Sequence, residues 1–69
     1  MVEVFKTSIS NAHDAIQMLE ILHGFFPTYH FNFDLHDCDN ILRVEASEVN
    51  HEGVTEILHQ NDSFCERLN

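Results

Sequence analysis

The chain has 69 residues, 43% of them hydrophobic with six Phe, which suits one compact domain and leaves no room for a two-domain enzyme around a cleft. Twelve acidic residues against three basic ones give a net charge of −9. Lys6, Arg43 and Arg67 lie far apart in sequence, so the chain offers no cationic cluster for nucleic acid or an anionic membrane surface.

No apolar stretch approaches the roughly 20 residues of a spanning helix. Met1-Val2-Glu3-Val4-Phe5-Lys6 lacks the basic and apolar regions of a signal peptide. The expectation is a small cytosolic protein that opens on Met1 and has no linker, a single domain over 1–69. Cys38 and Cys65 are expected as reduced thiols, because a small secreted scaffold usually carries four or more cysteines.

Residues 1–9 read as a strand with Phe5, Thr7 and Ile9 inward. Ser10 or Asn11 caps a helix whose first turn carries Asp14. Ala12, Ala15, Ile16, Leu19 and Leu22 recur at helical spacing and form the expected buried stripe, widened by Met18 and Ile21. Gly24 is the expected stop, and Pro27 prevents continuation. His30 to His36 then alternates polar and apolar, with Phe31, Phe33 and Leu35 inward. Asp37-Cys38-Asp39-Asn40 is turn chemistry. Ile41 to Ala46 returns as a third strand with Leu42, Val44 and Ala46 inward. A four-residue turn sets Leu35 opposite Leu42 and Asp34 beside Arg43, a favourable pair of opposite charges. A second helix over 49–60 buries Val54, Ile57 and Leu58, with Gly53 a weak point. Asn61 is the candidate left-handed cap. Phe64-Cys65-Glu66-Arg67-Leu68 reads as a short fourth strand.

The order βαββαβ predicts an α+β, ferredoxin-like fold: a four-stranded antiparallel sheet of order 4-1-3-2 with both helices on one face. His30, Asn32, Asp34, Arg43 and Glu45 are left for the other, wet face.

With these elements the chain resembles the heavy-metal-associated domains, the small βαββαβ modules of copper chaperones and metal-transporting ATPases. Phe5-Lys6-Thr7-Ser8-Ile9 is similar to the first strand of bacterial members. In that family the strand runs into a C-x-x-C metal loop. Here the two cysteine positions fall at Asn11 and Asp14. The resemblance therefore implies the fold and a degenerate metal motif. An amide and a hard carboxylate do not replace the soft sulfur ligands of Cu(I) or Zn(II). The chain also departs from the family before strand four, where Asn61-Asp62-Ser63 stands in place of the usual glycine.

The fold would gather Asn11, His13, Asp14, His36, Asp37, Cys38, Asp39 and Asp62 at one end of the sheet. The alternative ligands for a hard or borderline cation there are His13, His36 and Cys38. Turn and cap roles account for the same residues. The six histidines show no i,i+4 pair. Cys38 sits between Asp37 and Asp39, an acidic setting that makes a poor nucleophile. No catalytic constellation and no cofactor follow from the spacing. Phe25, Phe26 and Tyr29 cannot all be buried in so small a domain; they read as a loop folded over the core's edge or, alternatively, as an apolar patch for a protein partner or self-association. The second strand is a sheet edge and a further route to association, against which its outward His30, Asp34 and His36 would work. The expected role is a non-catalytic binding or regulatory module acting through protein contacts. The alternative is a divergent metal carrier or sensor.

Overall fold

A computed structural model describes residues 1–36 and 38–68. The elements run β1 (Val2–Thr7), α1 (Ala12–Phe25), β2 (His30–Asp34), β3 (Ile41–Glu45), α2 (His51–Gln60) and β4 (Cys65–Leu68). The strands form one antiparallel sheet of order β2-β3-β1-β4. This is the α+β, ferredoxin-like arrangement.

The core lies between the sheet and the helices. Phe5, Leu42 and Val44 rise from the two central strands to meet Leu22 of α1 and Val54 and Leu58 of α2, all fully buried. Burying a side chain of this kind stabilises by roughly 1.5–3 kcal/mol each. Thr7 is buried as the alternation of β1 requires, and Ile9 is buried although the strand ends at Thr7 rather than continuing to residue 9; Thr7 Oγ1 donates to Asn40 O at 2.7 Å. His30, Asn32, Asp34, Arg43 and Glu45 are exposed on the opposite face.

The hairpin register differs from the expected one by two residues. Phe33, not Leu35, stands opposite Leu42, and Arg43 faces Asn32 while Asp34 faces Ile41. Asp34 Oδ1 accepts the His36 N–H at 3.1 Å, so the chain turns away two residues earlier. Asn40 closes the connection with φ 52, a left-handed conformation that Asn tolerates. A slip of two keeps every side chain on its own face. Asp34 and Arg43 become diagonal neighbours, and no ion pair joins them among the described residues.

Helix α1 buries a different stripe. Ala15, Met18 and Leu22 are buried, whereas Ala12 is exposed and Ile16 is 58% exposed. At about 100° per residue Ile16 lies about 200° from Met18, so the two cannot both face the sheet. The unbranched Met18 fills the central place. The helix also runs through Gly24 to Phe25, and Pro27 follows the cap residue Phe26.

Helix α2 begins at His51, with Asn50 as N-cap. At its end Asp62, not Asn61, takes the left-handed position, with φ 62. Asp62 N–H donates to His59 O and Ser63 N–H to Leu58 O, the paired bonds of a Schellman motif. Asn61 instead donates its side-chain amide to Ile57 O at 2.8 Å.

Candidate functional site

The end of the sheet beyond β1 is assembled by hydrogen bonds between loops. Thr7 N–H is shared between Asp39 O and Asn40 O, which holds the β2–β3 connection against the end of β1. On the other side Ser8 N–H donates to Phe64 O, and Phe64 N–H donates to Ser8 Oγ at 2.9 Å. Ser8 Oγ and Ser63 Oγ share a further hydrogen bond at 3.2 Å. This clasp of two serines carries no sequence signal, because serine is common in every loop.

Asn11 and Asp14 meet at the start of α1. Asn11 Oδ1 accepts the Asp14 N–H at 2.9 Å, and Asn11 Nδ2 donates to Asp14 Oδ2 at 2.9 Å. The first bond satisfies one orphan amide of the helix, and the carboxylate suits the positive end of the dipole. Both side chains are exposed and engaged with each other as a cap.

The residues expected together at this end are only partly brought together. Asp14 and Asp62 line one depression of about 270 Å³ with Ser8, Met18 and Ser63. That volume falls below the roughly 300–1,000 Å³ of small-molecule pockets. His13, His36 and Cys38 are exposed and do not line it. Asp37 lies outside the described residues. Among the described residues, no three His, Cys, Asp or Glu side chains converge so as to hold a metal ion. Asp39 contributes an ion pair with Lys6 at 3.7 Å, half-exposed on both sides and energetically minor.

Cys65 is buried beneath α2, with Sγ 3.9 Å from Thr55 Oγ1. Burial pushes its thiol above the ordinary range, and the Thr55 hydroxyl offsets this in part. It is a packing residue rather than a nucleophile.

The second concentration of features lies where α1 passes into β2. Phe26 stacks on Tyr29 with ring centroids 4.7 Å apart and planes 10° apart. Tyr29 tilts against Phe31 at 5.9 Å, and His23 meets Phe31 edge-on at 5.2 Å. Phe26 and Tyr29 are half-buried by this stack, while Phe25 is left 65% exposed. Phe25, Phe26 and Ile57 line a shallow apolar depression with Gly53, Glu56 and Gln60 around it.

No helix among the described residues is long and apolar enough to cross a membrane. No protein-family model matches the chain, and no curated protein matches it either.

Proposed function

We propose that the chain is a small non-catalytic binding module, similar to the heavy-metal-associated domains but without their thiolate pair, that acts through protein contacts. The observation that carries this reading is Phe25. An aromatic ring held 65% in water, on the rim of an apolar depression with Phe26 and Ile57, adds little to folding and has most to gain from a partner. The metal end supports the same reading by its chemistry. At the positions that match the family's cysteines, Asn11 and Asp14 offer an amide and a carboxylate already spent on capping α1.

Metal analysis of the purified protein, with its mass in solution, tests the reading. A metal-free chain in a homo- or hetero-complex supports it. Metal near one equivalent per chain contradicts it and favours a carrier or sensor built on His13, His36 and Cys38.

A further inference from the structure

The sheet has two open edges, β2 and β4. A second copy can extend either one as an antiparallel neighbour about a two-fold axis perpendicular to the sheet. Such an axis keeps each face on its own side, so outer-face residues meet only outer-face residues. On β4 an axis that keeps most of the strand paired passes through Glu66 or Arg67. It then sets Glu66 against Glu66, or Arg67 against Arg67, and like charges directly opposite are destabilising.

Strand β2 behaves differently. His30-Phe31-Asn32-Phe33-Asp34 is nearly palindromic about Asn32. With the axis at Asn32 every residue of the strand is paired. His30 meets Asp34 twice on the outer face, around a central pair of Asn32 amides. Phe31 meets Phe33 twice on the inner face. Phe31 is already buried, but Phe33 is only half-buried and gains cover. Within one copy His30 faces Glu45 and Asn32 faces Arg43 across β3, so polar side chains continue across the outer face up to the edge.

We propose that β2 is a homodimerisation edge, at which a second copy of this chain pairs antiparallel about Asn32. The proposal rests on the reading of the chain as a contact-making module, and it uses a surface distinct from the Phe25 depression. Of the outward residues expected to oppose association at this edge, His30 and Asp34 become its complementary pairs, and His36 lies beyond the strand. A five-residue edge is small beside the roughly 1,600 Å² of a standard interface, so the dimer is weak and reversible. The charge of −9 on each copy opposes it. Salt screens that long-range repulsion more than the close pairs, so added salt tightens the dimer.

The test is a cysteine at the axis. In a Cys38→Ser background, Asn32→Cys places two thiols on facing residues. Antiparallel neighbours lie about 4.5–5.5 Å apart at Cα, within the disulfide range. His30→Cys in the same background places its thiols more than about 13 Å apart along the strands. Oxidation is expected to give a covalent dimer with Asn32→Cys and monomer with His30→Cys. In sedimentation equilibrium, His30→Asp sets two carboxylates against Asp34 and is expected to weaken the dimer roughly tenfold, and Asp34→Lys added to it restores the affinity. A wild-type chain that stays monomeric at millimolar concentration and high salt overturns the proposal. Equal cross-linking of both cysteine variants does so too. Either result leaves the contact-making reading standing, since that reading falls instead on stoichiometric metal.

Discussion

Tyr29 Oη accepts a hydrogen bond from the Asn50 N–H at 2.9 Å, which ties the segment leading into β2 to the N-cap of α2. Asn50 in turn uses its side chain to accept the Gly53 N–H at 3.0 Å. The Tyr29 ring is held at the same time by its stack on Phe26. One phenol therefore links the end of α1, the start of β2 and the start of α2. Tyr29→Phe keeps the stack and removes only the acceptor. It is expected to cost about 0.5–1.5 kcal/mol, read as a fall in Tm of roughly 4–8 °C per kcal/mol for a domain of this size. An unchanged Tm would show that the bond carries no weight.

The two glycines should respond differently to alanine. A Cβ on Gly24 would meet nothing within 4 Å, and neither glycine has a positive φ. Gly24→Ala is expected to stabilise by about 0.5–1 kcal/mol through helix propensity and chain entropy. A Cβ on Gly53 would lie 2.8 Å from Asn50 Nδ2 and 3.0 Å from Phe26 Cζ. The Asn50 cap must then shift, and a lost cap costs about 0.5–2 kcal/mol. Gly53→Ala should bring no gain, and urea melts of the two variants decide the matter.

Cys65 gives a signed pH dependence. Its thiol is held above the ordinary value by burial, so the folded state resists its ionisation. That contribution is complete below the unfolded value, about pH 8.5, and is lost as the pH rises through the higher folded value. Stability should therefore fall on the alkaline side, and less steeply in Cys65→Ala. An identical slope in both proteins would refute the assignment. Native alkylation should label the exposed Cys38 and spare Cys65.

Phe25 and Leu22 separate surface from core on one helix. Leu22 is fully buried and Phe25 is 65% exposed. Leu22→Ala should cost roughly 2–5 kcal/mol, whereas Phe25→Ser should stay within about 0.5 kcal/mol. A large loss from Phe25→Ser in thermal melts would make Phe25 a folding residue and remove the ground for reading it as a contact residue.

Much of the fold was legible because strand alternation and helix caps are local. The inward Phe31 and the outward His30 and Asn32 follow from neighbours a few residues apart, as does a cap at Ser10 or Asn11, of which the structure selects Asn11. The hairpin register was not legible, because a two-residue slip leaves every face unchanged and Asp34 chose between turn and ladder. The stripe of α1 was ambiguous because apolar residues surround most of the helix, and only the sheet selects Met18 over Ile16. For the candidate site, topology foretold which loops meet. It could not foretell that Asn11 and Asp14 would bind each other, or that Ser8 and Ser63 would close the end.

The proposed contact-making module has an amide and a carboxylate, Asn11 and Asp14, bonded to each other at the start of α1 and no soft ligand there. Calorimetric titration of the reduced protein with Zn(II) tests it most directly. No binding heat is expected at micromolar protein. One equivalent of tight Zn(II), lost on replacing His13, His36 or Cys38, would contradict it.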